Sequence, residues 1–420
     1  MPPLAPSAPT RRARRSPQLP AAAAFFGSAL GFFGLYIAAG APSPLFVVME
    51  QNWHFPAWTL TVAFAAYAVA LVVALVFIGG LSDLVGRRPL IIVSLVVETI
   101  AMILFVIAPN IGWVIAARVV QGLATGAATS AYSAALLELA PDRFRKLGTL
   151  FSSLAPAGGL ALGILAGGFA AQFSSTPVPL LFSVLAVVMV LAGLVSVFSA
   201  ETVTRGRGAL ASLAPRVRMP RTARPEFVAA IPLLIAAWML AGLFLGLVPS
   251  LLRSRFLIDG GLAAGFTSAA EPAAAAVIGL VIGVRLSARH TAESGGLALL
   301  VGSVLVLLGF TLPLFLLVIV GGVLGGAGFG MIFSGALRSI APRVLPDERA
   351  EAFSAVYLVS YLSFGIPAIL AGLLIEPLGL TPVAIGYVVG ILAFAAIGLL
   401  TQRRLTGATT ASHAEAAAAR

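Results

Sequence analysis

The stretch Gly79-Gly80-Leu81-Ser82-Asp83-Leu84-Val85-Gly86-Arg87-Arg88 decides the fold of this chain. It places three charged side chains between two apolar runs, each long enough to cross a bilayer as a helix of about 20 residues. Gly86 permits a tight turn between the two helices, and Asp83 can accept hydrogen bonds from the guanidinium groups of Arg87 and Arg88. The stretch is therefore predicted to be a polar loop between two membrane spans.

The composition of the whole chain is that of a membrane protein. Of its 420 residues, 60% are hydrophobic and 10% are charged, whereas soluble domains have about 25% charged residues. So few charges cannot cover the surface of a soluble globule, and the high hydrophobicity argues against disorder. The chain contains no cysteine and three histidines, so we expect no disulfide, no cysteine catalysis and no metal site.

Twelve apolar runs along the chain are long enough to be transmembrane helices. They are continuous, whereas the strands of a membrane barrel alternate in short segments, so the sequence predicts an all-α membrane protein. The runs are approximately Ala22–Pro42, Ala57–Ser82, Pro89–Ile107, Gly112–Ala140, Gly148–Ala171, Val178–Ser199, Ala229–Leu251, Gly265–Val284, Gly296–Leu312, Leu314–Ile340, Ala352–Leu374 and Thr381–Leu400.

Basic residues predict the orientation of these spans. Almost all of the 26 lysines and arginines fall in the tails or in the loops on one side, and the opposite loops contain Arg253 and Arg255. Because positively charged loops stay in the cytoplasm, both termini are predicted to be cytoplasmic in a multi-pass protein of the plasma membrane. The net charge of +11 is spread over short loops, so the basic residues do not indicate a nucleic-acid partner.

The chain also divides into two similar halves. Gly122-Leu-Ala-Thr-Gly126-Ala127 in span 4 is matched two hundred residues later by Gly322-Val-Leu-Gly-Gly326-Ala327 in span 10. Two six-helix bundles around a central site form a transporter architecture. The first apolar run is longer than the core of a signal peptide, so it is predicted to be a retained span. The predicted regions are a disordered cytoplasmic tail (1–20), an N-terminal bundle (21–200), a cytoplasmic linker (201–228), a C-terminal bundle (229–402) and a cytoplasmic tail (403–420).

The loop after span 2 resembles the signature of the major facilitator superfamily, Gly-x-Leu-Ala/Ser-Asp-x-x-Gly-Arg-Arg/Lys. The matching residues are Gly79, Leu81, Asp83, Gly86, Arg87 and Arg88. The resemblance implies the major facilitator fold of two six-helix bundles. It also implies a cytoplasmic gate, in which Asp83 faces the N-terminus of span 11 when that side closes. The alternative is a basic loop that only sets the topology. Leu84 departs from the arginine often found there, which removes one ion-pair partner.

Four polar residues inside the spans are candidates for proton coupling: Arg118, Gln121, Glu98 and Glu271. The run Arg118-Val-Val-Gln121-Gly122 resembles the Arg-x-x-Gln-Gly motif that the superfamily associates with protons. A charged residue within a span is a functional hypothesis by default, and the alternative is that Arg118 extends to the membrane interface. Glu98 lies within about one helical turn of Arg118 in depth, so the two could pair. Glu98 then either carries a proton or only neutralises the arginine.

Span 5 carries a partial match to the antiporter motif Gly-Pro-x-x-Gly-Gly, at Pro156 and Gly159, followed by Gly163. Ala155 and Leu160 replace two of its glycines, so the indication of antiport is weak. Small residues also allow close helix packing in any membrane bundle, and this reading accounts for most of them.

Polar aromatic residues near mid-depth predict the substrate cavity. A cavity with aromatic walls and few charges suits amphipathic, partly apolar solutes, and the alternative role of such residues is anchoring at the membrane interface. The candidates are Tyr36, Tyr67, Trp238, Tyr357 and Tyr361.

These features predict a proton-coupled exporter of small amphipathic molecules, nearest in pattern to the drug/proton antiporter-like branch and working as a monomer by alternating access. Its expected partners are a small-molecule substrate, protons and the lipid bilayer. No cofactor, nucleotide or nucleic acid is expected, because the chain has no P-loop and its only lysine is Lys146. The first alternative is a symporter or facilitator for a neutral metabolite such as a sugar. A non-transporting receptor or scaffold would need a larger docking domain, and an enzyme would need a catalytic cluster.

Overall fold

The computed structural model describes residues 18–56, 58–203, 217–283, 286–345 and 348–418. The predicted disordered tail lies outside the described residues except for 18–20, and so does the middle of the predicted linker. The helices are α1 (Ala21–Gly40), α2 (Pro42–Trp53), α3 (Trp58–Ile78), α4 (Ser82–Val85), α5 (Arg87–Ile107), α6 (Ile111–Leu139), α7 (Arg145–Phe173), α8 (Pro177–Phe198), α9 (Arg224–Gly242), α10 (Val248–Phe256), α11 (Gly261–Gly283), α12 (Ala288–Thr311), α13 (Phe315–Ile340), α14 (Arg349–Leu378) and α15 (Leu380–Ala418).

Twelve spans in the described part of the chain are long and apolar enough to cross a membrane, which confirms the predicted all-α fold. Two of them each join two α-helices. Span 1 joins α1 to α2, and span 7 joins α9 to α10 through a π-helical segment, Leu243–Leu247. The predicted end of span 1 at Pro42 is therefore wrong. Proline lacks a backbone N–H but suits the first position of a helix, so Pro42 begins α2, and the span runs on to Trp53.

The predicted repeat appears in the packing of the two halves. In the N-terminal half, Gly126 of α6 lies so close to α3 that any side chain there would collide with the carbonyl oxygen of Leu71. In the C-terminal half, Gly326 of α13 has the same relation to the carbonyl oxygen of Glu271 in α11. Glu271 thus occupies the position that Leu71 occupies in the first half.

The two halves meet through α3 against α14 and α7 against α11. Gly168 of α7 packs on the backbone of Gly261 and Gly265 in α11. The hydroxyl of Ser43 donates a buried hydrogen bond of 2.8 Å to the carbonyl of Leu245. The contacts of Gly168 and Ser43 lie in the half of the membrane remote from loop 79–88. We call that end of the molecule the far end, and we call the other the gate-loop end.

Candidate functional site

Arg118 of α6 is the centre of a polar network inside the N-terminal bundle. Its side chain is 2% exposed, and its guanidinium donates to the backbone carbonyls of Ala39 at 3.1 Å and Ala63 at 3.4 Å. The guanidinium carbon also lies 4.0 Å from the centre of the Tyr67 ring, a cation–π contact. The alternative in which Arg118 extends to the membrane interface is therefore wrong, because the side chain is directed into the bundle.

Gln121 connects Arg118 to Glu98. Its Oε1 accepts from Arg118 Nη1 at 2.6 Å, and its Nε2 donates to Glu98 Oε1 at 3.1 Å. All three side chains are buried. The possible direct pair of Glu98 and Arg118 is thus replaced by a bridge through an uncharged amide. The second oxygen of Glu98, Oε2, is buried and has no hydrogen-bond partner among the described residues.

A break in span 1 supplies a further partner for Gln121. Its Nε2 donates to the carbonyl of Ala38 at 3.0 Å. In a continuous helix that carbonyl would accept from the residue four positions later, which here is Pro42 and has no N–H. A buried carbonyl needs a partner, and Gln121 provides one. The apolar pattern alone predicts an end of the span at Pro42 and does not indicate this role.

Glu271, the other intramembrane carboxyl, belongs to the C-terminal half. It is buried in α11, and its Oε1 has no hydrogen-bond partner in the described chain. In the other half its packing equivalent is Leu71. The structure therefore does not bring Glu271 together with the Arg118 network. No group of three or more acidic or histidine residues that could hold a metal ion exists within the described ranges.

The predicted gate loop forms a short helix, α4, between α3 and α5. Asp83 pairs with Arg87, and Arg87 also reaches Ser82 and, at 3.4 Å, Glu138 of α6. The Asp83 side chain is 61% exposed. Its partner in the described chain belongs to its own loop, so the contact of Asp83 with the start of span 11 stays a prediction.

Glu201, which is not among the residues predicted from the sequence, binds this loop from the segment after α8. Its carboxylate accepts from the backbone N–H of Arg87 at 3.0 Å and of Arg88 at 3.2 Å. These are the first residues of α5, where an anion is favoured by the helix dipole and by unpaired N–H groups. Gly86 adopts a φ of 109°, and a side chain there would collide with Glu201. An acid directly after span 6, on the side of the gate loop, was the available signal.

The glycines of the partial antiporter motif pack helices within one half. Gly159 lies against the side chain of Tyr36, and Gly163 lies against the backbone of Ile37. Both contacts bring α7 close to α1, which agrees with the packing alternative. Pro156 lies inside α7, one turn before Leu160.

The aromatic candidates come from both halves, and they meet at Tyr361, which packs against the buried cluster that contains Tyr67. Tyr36 and Tyr67 belong to the N-terminal half, where Tyr67 contacts Arg118. The Tyr36 hydroxyl lies 3.0 Å from that of Thr129, which itself donates to a backbone carbonyl, so Tyr36 is the donor. The other candidates are part of a cluster of rings on α9, α13 and α14, which we call the aromatic cluster. Its members are Trp238, Phe329, Phe333, Tyr357, Tyr361 and Phe364.

Trp238 lies at the centre of the aromatic cluster. Its ring centroid is 4.6 Å from that of Tyr361 and 5.3 Å from that of Phe329. The indole Nε1 is buried without a hydrogen-bond partner in the described chain. The phenylalanines of the cluster carry no polar atom, so the prediction of polar aromatic residues does not include them.

Comparison with known families agrees with this architecture. Residues 25–291 match the Major Facilitator Superfamily. The chain belongs to this superfamily. It is accordingly a multi-pass membrane transporter and not an enzyme, with a small-molecule substrate and the lipid bilayer as partners. A comparison with curated proteins finds no match.

Solved structures of several transporters have the same fold. A bacterial homologue of the human lysosomal transporter Spinster, inward-facing and unoccupied, superposes with a TM-score of 0.71 at 16% identity, covering 91% of this chain and 96% of that one. The human organic anion transporter MFSD10 (TETRAN) gives 0.66 at 15% identity, over 91% and 100%. The nucleoside transporter NupG gives 0.67 at 11% identity, over 90% and 99%. These likenesses concern the fold.

Proposed function

We propose that this transporter is a proton-coupled exporter of small amphipathic molecules, similar to the drug/proton antiporter-like branch of the superfamily. The observation that carries the proposal is the buried network of Glu98, Gln121 and Arg118. With Glu98 ionised, the network contains one negative and one positive charge. With Glu98 protonated, the charge of Arg118 has no counter-charge in apolar surroundings. Proton uptake therefore changes the electrostatic energy of the bundle interior, which is what coupling to a conformational change requires.

The proton has a place in this network. Glu98 Oε2 is buried and has no hydrogen-bond partner among the described residues, so it can take up a proton without giving up the bond from Gln121 to Oε1. Gln121 also binds the carbonyl of Ala38 at the break in span 1. A change at Glu98 is thereby transmitted to the junction of α1 and α2, and α2 adjoins the other half at Ser43. Glu271 is a second candidate proton carrier, in the opposite half.

The substrate class follows from the aromatic cluster and from the scarcity of charge. Flat rings offer apolar area and π-faces, and the unpaired N–H of Trp238 offers one hydrogen-bond donor. Arg118 is the sole basic side chain in the described part of the membrane interior and is already occupied. We expect molecules with an aromatic or apolar body and a weakly polar group, in preference to highly charged ones.

Alternating access provides the motion. The contacts between halves described above lie at the far end, so rocking of the N-terminal bundle against the C-terminal bundle would open that end. In the reverse state, Asp83 would face the N-terminus of α14 and close the gate-loop end. Arg87, Arg143 and Lys146 at the gate-loop end support a cytoplasmic location for it. We expect a monomer in the plasma membrane with both termini in the cytoplasm.

A symporter or facilitator for a neutral metabolite such as a sugar is the second candidate. The incomplete antiporter motif of span 5 favours it, because Ala155 and Leu160 replace two of the glycines of that motif. Direction of transport therefore separates the two candidates.

The test uses the purified protein in proteoliposomes that contain a pH-sensitive dye. Nile red and N-phenyl-1-naphthylamine, two uncharged aromatic dyes, are the probes, after thermal-shift measurements identify which of them binds. A pH gradient should drive dye movement opposite to the protons. Glu98→Gln or Glu271→Gln should abolish the associated pH change. Glu293→Gln is the matched control, because Glu293 forms an exposed pair with Arg289. Dye flux indifferent to the pH gradient would rule out coupling, and co-directional flux would favour the symporter.

A further inference from the structure

Two arginines at the far end take no part in the proposed proton network. Arg253 and Arg255 lie in α10, two residues apart, so they do not share a helix face. They differ in what they bind. Arg255 donates to the carbonyls of Phe310 and Thr311 at 3.2 Å each. It thus binds the C-terminal end of α12 in its own half, where a cation is favoured.

Arg253 reaches across to the other half. Its Nε lies 3.1 Å from Oδ1 of Asp259, in the loop after α10. Its two terminal nitrogens face Gln51 at the end of α2. When the Gln51 amide is oriented with its oxygen towards Arg253, that oxygen accepts from both nitrogens, with Nη2 at 2.6 Å. One guanidinium thus connects an acid of the C-terminal half to an amide of the N-terminal half.

The crevice around this contact lies between the two halves. It encloses a cavity of about 360 Å³, whose lining includes Glu50 and Thr61 from the N-terminal half and Ser250, Arg253 and Ser254 from the C-terminal half. Closer to the gate-loop end, the hydrogen bond from Ser43 to Leu245 also joins the halves. Opening of the far end requires these two walls to separate, and the contact of Arg253 with Gln51 cannot survive that separation.

We propose that Arg253 is the latch of the far entrance and acts as a positioning residue that stabilises the state in which the far end is closed. The inference rests on the alternating access of the proposed function but not on protons or on the substrate class. Arg253 is 44% exposed, so each contact is weakened by solvent. The two hydrogen bonds from Arg253 to Gln51 still favour the closed state by about threefold to tenfold. That ratio suffices to shift the populations of two states of similar energy.

The absence of cysteine makes the full-length protein a clean background for a reporter. Ser250→Cys places one thiol in the crevice, and its labelling by a hydrophilic maleimide in nanodiscs reports how often the far end opens. Arg253→Gln should accelerate labelling about threefold to tenfold. Arg255→Gln is the matched control, because it removes the same charge from the same helix without touching the other half, and its rate should stay within about twofold.

Gln51→Leu removes the partner instead of the arginine. It should also accelerate labelling, and the double variant should be no faster than Arg253→Gln alone, because loss of the arginine already removes the link to Gln51. The Gln51→Leu variant also tests the proposal if the Arg253→Gln variant fails to fold. Equal rates for the Arg253→Gln and Arg255→Gln variants, or additive effects in the double variant, would overturn the proposal. The labelling needs neither substrate nor pH gradient, so loss of proton coupling leaves this result unaffected.

Discussion

Replacement of Gln121 by methionine tests whether the buried network holds the N-terminal bundle together. Methionine has nearly the same length and volume but cannot bridge Arg118, Glu98 and Ala38, so three buried hydrogen bonds of 2.6, 3.1 and 3.0 Å are lost. Hydrogen bonds between membrane helices contribute about 0.6 kcal/mol on average, and one to a charged group contributes about 1.5–3 kcal/mol. We expect the free energy of unfolding to fall by about 2–4 kcal/mol.

The assay is reversible unfolding in mixed micelles of increasing dodecyl sulfate content, followed by circular dichroism. Thr99→Val is the matched control, because Thr99 adjoins Glu98 but donates only to the carbonyl of Leu95 within its own helix. It should lower the free energy of unfolding by less than about 1 kcal/mol. If Gln121→Met is no more destabilising than Thr99→Val, the bridge does not stabilise the bundle and the reasoning fails.

Three further variants test the gate loop and the packing of span 5. Asp83→Asn should reduce transport about tenfold, because an interaction with a helix N-terminus is lost in the opposite state, while the folded amount on gel filtration is unchanged; a normal rate would refute the gate. Glu201→Gln should lower the free energy of unfolding by about 0.3–1 kcal/mol, because an anion at the start of α5 is removed, and the same micelle assay measures it. Gly163→Val should destabilise by about 1–3 kcal/mol by forcing α7 away from α1; intact stability with lost coupling would instead favour the antiporter role.

The fold can be predicted from the sequence because it follows from local features of the chain. Span count follows from apolar length, and the loop after span 2 combines glycines, an acid and two arginines in ten consecutive residues. Neither property depends on which helix packs against which. The repeat can also be seen in the sequence, because Gly126 and Gly326 are two hundred residues apart. At each position glycine permits a close approach between neighbouring helices.

The details of the site depend on tertiary contacts, which cannot be predicted from the sequence alone. Depth along a helix placed Arg118 near Glu98, but the rotation of α6 determines that Gln121 stands between them. Proline breaks helices, so Pro42 predicts the end of a span, whereas its missing N–H in fact frees a carbonyl that another helix binds. Glu201 follows the sixth apolar run and is therefore predicted to be part of a linker, since its partners, the first N–H groups of α5, are more than a hundred positions away in sequence.

The equivalence of Leu71 and Glu271 has a consequence for how such a protein can change over time. In both halves the close contact is made by a backbone carbonyl against a glycine, so the helix geometry is insensitive to the side chain carried at that position. The same helix packing therefore accepts either an apolar or an acidic side chain at this position without a change in geometry. A duplicated bundle can keep its shape in both copies while each copy acquires a different chemical task.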